Sequence, residues 1–337
     1  MKDSRSALLC RHYNKTMKEK EFINIIKNVL QSNYIGDDCA YLKDLDIVVS
    51  QDSLVENVHF KRDLISPFQL GYKSVMVNIS DICASGAKPK YLTISLSLPN
   101  DIDSDFVKEF YEGAKKACLT PHPLSEGVSI VGGDITSADK IYVSVCAIGD
   151  AKGRNISSRK NAKEGYKVVV SGLHGSSCTG LKLLLEGKKE PQKFIKAHLE
   201  PQAQVELGDK AGSNIKTLYA MMDTSDGLMD ALSTIANESR VLLEIDFDKI
   251  PHDKDLEQFD LWQDMILFGG EDYGLVAVVP QEFDAGTQIG VAKEGLGVDI
   301  IFESCHPELV SGSHTGQTRK IHYSKQDVEN RIFNHFN

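Results

Sequence analysis

Apolar residues change their spacing several times along the chain, and the changes predict alternating helices and strands. Helical spacing occurs at 21–30, 67–87 and 104–119. The second of these helices is expected to end at Gly86, because glycine favours the helix C-terminus. Asp103 or Ser104 is expected to be the N-cap of the third.

Shorter apolar or alternating runs predict strands between and after these helices. They are "DIVVSQD" (46–52), "YLTISLSLP" (91–99), "IYVSVCAIG" (141–149), "YKVVVSG" (166–172) and "YGLVAVVP" (273–280). In the second half, "GLHGSSCTG" (172–180) predicts a Gly/Ser loop that precedes a helix at "LKLLLEG" (181–187). A further long helix is expected after "MDTSDG" (222–227). The pattern indicates an α+β or α/β protein.

The segment "GDAKGRNISSRKNAKEG" (149–165) is rich in turn-forming and basic residues and predicts a link between two α/β domains. We therefore expect one domain at 17–150 and a second at 151–337, with Met17 as an alternative start to Met1. The polar stretch 303–320 lacks periodicity and predicts an exposed insertion. Its Cys305, His306 and His314 are not accompanied by further ligands at zinc-site spacing, which favours a loop over a metal site.

Composition narrows the class of protein. The chain has 337 residues, 41% of them hydrophobic and 26% charged, with a formal net charge of −10. The negative charge disfavours nonspecific nucleic-acid binding, and no apolar run is long enough to cross a membrane. The seven cysteines are dispersed and include no C-x-x-C pair, which disfavours a zinc ribbon or a dithiol redox site. Reduced cysteines predict a cytoplasmic protein.

Acidic residues recur among small residues beside apolar segments. They occur in "GDDCA" (36–40), "VVSQDSLVENVHF" (48–60), "NISDICASGA" (78–87), "VGGDIT" (131–136), "MMDTSDGL" (221–228) and "FGGEDYG" (268–274). One such aspartate is usually a turn or helix-cap residue, and Asp52 is expected at a strand end. The repetition, with few nearby Lys or Arg residues, favours several oxygen-ligated Mg²⁺ or Mn²⁺ ions. The candidate residues are Asp37, Asp38, Asp52, Asp81, Asp134, Asp223 and Asp226.

Several Mg²⁺ ions in one site are typical of phosphate chemistry. The P-loop and the protein-kinase motifs are absent from the sequence. Taken in order, "GDDCA", "QDSLVENVHF", "VNISDICASGAKPKYLTISLSLP", "GGDIT", "HLEPQ", "DTSDGL", "GGEDYGL" and "FNHF" resemble the thiamine-monophosphate kinase family. This family lies within the superfamily of aminoimidazole ribonucleotide synthetase and selenophosphate synthetase. The resemblance extends from about Phe22 to Phe336.

The resemblance implies ATP-dependent phosphorylation of thiamine monophosphate to thiamine diphosphate. It also implies a two-domain aminoimidazole ribonucleotide synthetase-like fold, whose N-terminal domains pair into a barrel in a homodimer. The acceptor phosphate is already an anion, so no catalytic base is expected. Repulsion between unit charges costs about 4 kcal/mol at 4 Å for an effective dielectric of about 20, which several Mg²⁺ ions would offset.

The resemblance also implies site residues. The expected Mg²⁺ ligands are Asp38, Ser50, Gln51, Asp52, Asp81, Asp134, Asp223 and Asp226. The expected ATP contacts are Tyr111, Gly133, Asp134, Arg159 and Ser225. The expected contacts to thiamine monophosphate are His59, Glu271 and Phe333.

The sequence departs from the family pattern at a few positions, and alternatives stay open. Gln51 replaces a threonine and Gly274 replaces a glutamate. The 149–165 link is one residue longer than usual, so that Arg154 is an alternative to Arg159. Alternative functions are another ATP-dependent synthetase of the superfamily or a degenerate thiamine-phosphate-binding protein.

Overall fold

The computed structural model describes residues 19–120, 127–302 and 318–331. The chain divides into two compact units, one of residues 1–33 with 333–337 and the other of residues 34–332. The described part of the first unit contains helix α1 (Glu19–Leu30), as the helical spacing predicts. All other described elements belong to the second unit.

Residues 40–150 contribute a five-stranded sheet. Its strands are β1 (Ala40–Leu42), β2 (Ile47–Val55), β3 (Lys88–Leu98), β4 (Ser129–Ser137) and β5 (Tyr142–Asp150). The spatial order is β1-β2-β5-β3-β4, and all neighbours are antiparallel except β3 and β4. Helices α2 (Pro67–Ser85) and α3 (Ser104–Leu119) come from the same part of the chain. As an edge strand, β4 has only one neighbour among the described strands.

Residues 167–323 contribute a seven-stranded mixed sheet. Its strands are β6 (Lys167–Ser171), β7 (Ala220–Asp223), β8 (Leu242–Asp246), β9 (Leu275–Val279), β10 (Thr287–Lys293), β11 (Gly297–Phe302) and β12 (Arg319–Tyr323). Their order is β12-β11-β8-β10-β6-β9-β7. The accompanying helices are α4 (Ser176–Leu185), α5 (Gln192–Leu199), α6 (Val205–Asn214), α7 (Leu228–Ser239), α8 (Trp262–Phe268) and α9 (Lys325–Glu329).

Helix α2 is buried on all sides because it packs against elements of both sheets. It contacts α3, β2 and β5 from the first part of the chain, and α6 and β7 from the second. Ser66 caps its start by accepting a hydrogen bond from the Gln69 N–H. The helix ends at Gly86, which has φ 83° in the left-handed region, as predicted. Asp103 is the N-cap of α3, which settles the predicted alternatives in its favour.

Some local predictions were wrong. Asp52 does not end its strand, because β2 continues to Val55 through pairing with β5. The Gly/Ser loop at 172–180 is shorter than expected, since α4 already begins at Ser176. Of the predicted insertion 303–320, residues 303–317 lie outside the described residues, whereas Arg319 and Lys320 belong to β12.

None of the helices in the described ranges combines the length and the apolar character that crossing a bilayer requires.

Candidate active site

Three acidic side chains from distant parts of the sequence converge between the two sheets. One carboxylate oxygen from each of Asp38, Asp81 and Asp223 lies within 4.8 Å of the other two. Asp38 lies just before β1, Asp81 lies in α2, and Asp223 is the last residue of β7. The cluster exists because α2 packs against both β2 and β7.

Serine hydroxyls stabilise these carboxylates. The Ser50 hydroxyl donates to Asp81, and the Ser80 hydroxyl donates to Asp223 Oδ2 at 2.7 Å. The Ser225 hydroxyl donates to Asp223 Oδ1 at 2.9 Å. These neutral donors leave the negative charge of the cluster in place.

Burial and like charge raise the pKa values of the cluster. Burial first, and then the charge of Asp38, raise the pKa of Asp223 to about 7 against the hydrogen bonds from Ser80 and Ser225. Burial, followed by the charges of Asp52, Asp223 and Asp38, raises the pKa of Asp81 well above its ordinary value. Asp52 lies two residues after Ser50 on β2 and therefore on the same face of the strand as the hydroxyl that donates to Asp81.

Arg159 is the cation that reaches one side of the cluster. Its guanidinium lies 3.0 Å from Asp38 Oδ1, and its backbone N–H donates to Asp37 Oδ1 at 2.8 Å. Arg154 lies elsewhere, because its guanidinium bonds to the Gly86 carbonyl and to Asp209 of α6. Of the two arginines in the link, Arg159 is therefore the one that contacts the acidic cluster.

A second polar cluster surrounds Glu271, in the loop between α8 and β9. Lys73 Nζ lies 3.0 Å from Glu271 Oε1, and His198 Nδ1 lies 3.5 Å from Oε2. The Glu271 N–H donates to the Ser225 carbonyl at 2.7 Å, which joins this loop to the one that follows Asp223. The two polar clusters therefore share the segment 223–226.

The chain matches the family models of the AIR synthase related protein N-terminal domain at residues 36–151 and C-terminal domain at 163–301. It is 36% identical to the thiamine-monophosphate kinase of Aquifex aeolicus over 309 residues, which covers 87% of this chain and 97% of the relative. The corresponding enzyme of Bacillus subtilis is 37% identical, covering 74% of this chain and 78% of the relative. The chain belongs to the thiamine-monophosphate kinase family.

Solved structures of this family have the same architecture. The complex of AaThiL with AMPPCP and TMP superimposes with a TM-score of 0.77 at 34% identity, covering 89% of this chain and 96% of the other. The chain therefore has the predicted two-domain fold of the superfamily and belongs to a family of kinases.

The predicted thiamine-monophosphate kinase site is only partly assembled within the described residues of one chain. Pairing across the sheet aligns Asp52 with Val145, Val145 with Ile94, and Ile94 with Gly133. Gly133 and its neighbour Asp134 are thus three strands from Asp52, or roughly 14 Å at the usual strand spacing. Both lie on the exposed edge strand β4.

The remaining predicted residues occupy varied positions. Gln51 precedes Asp52 on β2, and its side-chain amide donates to the Ser144 hydroxyl of β5 at 3.1 Å. His59 Nδ1 accepts a hydrogen bond from the Val55 N–H at 2.9 Å, and Asp226 is half-buried after β7. Tyr111 packs edge-on against Phe110 in α3. Phe333 lies outside the described residues.

Three further residues lie at the site without having been predicted from the sequence, namely Lys73, Ser80 and His198. Lys73 is the only charged residue in "PFQLGYKSVMVNIS", which would have been a usable indication of a buried ion pair. His198 begins the "HLEPQ" motif, which contributed to the resemblance without a role. Ser80 directly precedes Asp81 but carries no distinctive pattern.

The acidic cluster fits a hard divalent cation. Its donors are carboxylate oxygens with hydroxyls nearby, which is the ligand set that Mg²⁺ prefers. Burial and then mutual repulsion raise the pKa values of Asp81 and Asp223, and a bound cation would offset both effects. Asp38, Asp81 and Asp223, with Asp52 beside them, are therefore suited to hold Mg²⁺.

Mg²⁺ is expected to stabilise the native protein. An ion that binds only the folded state contributes RT ln(1 + [L]/Kd), or about 2.7 kcal/mol at one hundred times the Kd. Differential scanning fluorimetry with increasing MgCl₂ should therefore show a rise of several degrees in Tm. Asp223→Asn should abolish most of this rise, whereas Asp246→Asn, on β8 and outside the cluster, should keep it. An equal rise in all variants would contradict Mg²⁺ binding by the cluster.

Without metal, the cluster should make stability depend on pH. The pKa of Asp223 is about 7 in the folded state, against an ordinary value of 3.8. Between these values the folded state binds the proton more tightly, so its stability falls as pH rises from about 4 to about 7. Asp223→Asn should remove part of this decline, as measured by urea unfolding in EDTA. When EDTA is replaced by saturating Mg²⁺, the decline of stability with pH should also become smaller. An equally steep decline in Asp223→Asn and in the wild-type protein would contradict a raised pKa of Asp223.

Proposed function

We propose that this protein is an ATP-dependent thiamine-monophosphate kinase, which transfers the terminal phosphoryl group of ATP directly to the phosphate of thiamine monophosphate. The observation that carries the proposal is the convergence of Asp38, Asp81 and Asp223 beside Arg159. The solved complex of the relative AaThiL contains AMPPCP and TMP, which supports ATP and thiamine monophosphate as the two substrates of this protein.

The acidic residues supply the metal-binding half of the mechanism. We propose that Mg²⁺ is held by Asp38, Ser50, Gln51, Asp52, Asp81, Asp134, Asp223 and Asp226. Bound Mg²⁺ would neutralise phosphate charge and align the donor with the acceptor. Tyr111, Gly133, Asp134, Arg159 and Ser225 are proposed to contact ATP. The ion pair of Arg159 with Asp38 keeps this cation next to the carboxylates.

The acceptor side is proposed to consist of His59, Glu271 and Phe333. Glu271 joins the loop after β7 through its N–H bond to the Ser225 carbonyl. An acceptor bound at Glu271 would therefore lie beside the metal-binding loop. The acceptor phosphate is already anionic, so the site has to orient it and reduce repulsion rather than remove a proton.

A homodimer is proposed because one chain leaves Gly133 and Asp134 far from Asp52. Val131 and Ile135, on either side of them in β4, are 59% and 62% exposed. An edge strand that pairs on one side and carries exposed apolar residues favours association with another chain. In the proposed dimer the N-terminal domains, residues 17–150, pair into a barrel, and 151–337 form the second domain. The cytoplasmic location stays a prediction.

The alternatives are distinguished by the acceptor side. The cluster of carboxylates would serve any ATP-dependent member of the superfamily, so a substrate panel separates this proposal from another synthetase.

Gly274 is enclosed: a Cβ there would lie 2.6 Å from the Ser171 carbonyl oxygen and 2.9 Å from His174 Cε1. A side chain larger than that of glycine would therefore not fit at this position without a shift of its neighbours.

Purified protein with ATP and thiamine monophosphate should form thiamine diphosphate only when Mg²⁺ is present. Asp52→Asn should lower kcat by roughly a hundredfold or more, because it removes charge that orients the metal. Product is measured by chromatography, with Asp246→Asn as the control. Absence of product from the wild-type protein, with thiamine monophosphate still bound, would favour the degenerate binding protein.

The proposed dimer predicts a specific effect of charge on β4. Ile135→Glu should convert a wild-type dimer into a monomer in sedimentation velocity at micromolar concentration, since a buried unpaired carboxylate is unfavourable. Leu296→Glu changes a similarly exposed residue, 60% exposed, outside β4 and should stay dimeric. A monomeric wild-type protein would refute the dimer.

A further inference from the structure

The "HLEPQ" motif at 198–202 covers the end of α5 and the residues after it, and it forms side-chain hydrogen bonds with α2. The Gln202 side-chain amide donates to the Tyr72 hydroxyl at 2.5 Å, and the Gln69 amide donates to Glu200 Oε1 at 3.3 Å. Both contacts are made by the turn of α2 that directly precedes Lys73. The motif therefore holds His198 beside Lys73 across the boundary between the two domains.

Lys73 is a buried cation with a defined partner. Its side chain is 1% exposed, and its ammonium lies 3.0 Å from Glu271 Oε1. A charged group removed from water is costly unless an opposite charge compensates for it, so Lys73 and Glu271 stabilise each other as ions. Burial opposes the ionisation of Glu271, but Lys73 lowers the pKa of this carboxyl overall.

His198 contacts the other carboxylate oxygen. Its Nδ1 lies 3.5 Å from Glu271 Oε2 and 3.0 Å from the Ser177 hydroxyl. Burial, followed by the charge of Lys73, lowers the pKa of His198 to about 4, so that the ring is neutral at pH 7. Each carboxylate oxygen thus has its own neighbour: Lys73 forms an ion pair with Oε1, and the neutral His198 ring, held by Ser177, packs beside Oε2 and limits the space into which the carboxylate can turn.

The backbone restrains Glu271 as well. It adopts φ 64°, a left-handed conformation that is uncommon for a residue with a side chain. The Glu271 N–H bonds to the Ser225 carbonyl, and the Thr224 N–H bonds to the Gly274 carbonyl at 2.9 Å. Unusual backbone conformations of this kind persist only where neighbouring contacts impose them.

We infer that Lys73 and His198 are positioning residues that hold the Glu271 carboxylate in one orientation for recognition of the thiamine part of the acceptor. The inference rests on the proposed function. Glu271 is 26% exposed, so part of its side chain stays accessible after Lys73 and His198 have made their contacts. A carboxylate fixed in this way accepts a hydrogen bond from the amino group of the pyrimidine ring. Its pairing with Lys73 limits repulsion of the substrate phosphate.

A double-mutant cycle tests this role. Lys73→Met and Glu271→Gln should each raise the KM for thiamine monophosphate about tenfold or more, because a hydrogen bond to a charged group is lost or misdirected. The KM for ATP should change by less than about twofold. The double variant should be no worse than Glu271→Gln alone, because Lys73 acts through Glu271. Multiplying effects, or an unchanged KM in Lys73→Met, would overturn the inference.

Substitutions of His198 test the inference independently of Lys73. His198→Leu should raise the KM for thiamine monophosphate, whereas His198→Asn should keep it closer to the wild-type value, since the amide can occupy the place of Nδ1. Equal defects in the two variants would show that His198 serves packing only. If Lys73→Met does not fold, as judged by its Tm, the double variant compared with Glu271→Gln decides the question.

Failure of the proposed function is distinguishable from failure of this inference. If the wild-type protein makes no thiamine diphosphate, calorimetry with thiamine monophosphate and with AMPPCP replaces the kinetic comparison. A Lys73→Met variant that loses affinity for thiamine monophosphate but keeps it for AMPPCP supports positioning of Glu271. Equal affinity of the variant and the wild-type protein for thiamine monophosphate refutes it.

Discussion

The burial of α2 between the two sheets is the constraint on which the site depends. A helix enclosed on every side cannot leave polar groups to solvent, so each needs a partner within the protein. Asn78 accepts the Asp52 N–H, Ser80 bonds to Asp223, and Lys73 pairs with Glu271. The polar residues of α2 therefore connect β2 to the loops that follow β7 and α8. The interactions that satisfy the helix also assemble the site.

The acidic cluster shows the opposite balance, since serine hydroxyls rather than cations are the main donors to two of its carboxylates. Asp38 forms an ion pair with Arg159, whereas Asp81 and Asp223 mainly accept hydrogen bonds from serine hydroxyls. Lys73, which could have neutralised a carboxylate of the cluster, pairs with Glu271 instead. This separation leaves one region suited to metal ions and phosphates and another suited to an organic acceptor with hydrogen-bond donors.

Periodicity and cap residues predicted α2, its end at Gly86 and the start of α3, because these depend on local interactions. The resemblance of the sequence motifs correctly predicted the thiamine-monophosphate kinase family and therefore a family of kinases. The path of β2 beyond Asp52 was missed because pairing with β5 overrides the local polar pattern. Whether Arg154 or Arg159 reaches the carboxylates depends on how the 149–165 link packs, which spacing alone does not determine. The partners of Lys73 and His198 lie too far along the sequence to be paired from one sequence.

The connection between the loops at 223–226 and 269–274 has a consequence for the proposed reaction. A phosphate that acts as nucleophile needs no activation, so the rate depends mainly on the distance and alignment of two anions. Here the loop bearing Glu271 is bonded through backbone atoms to the loop bearing Ser225 and Asp226. Backbone hydrogen bonds between these loops restrict changes in the spacing between the acceptor side and the metal side. In the proposed reaction, charge neutralisation and positioning of the acceptor would thus depend on the same short stretch of chain after β7.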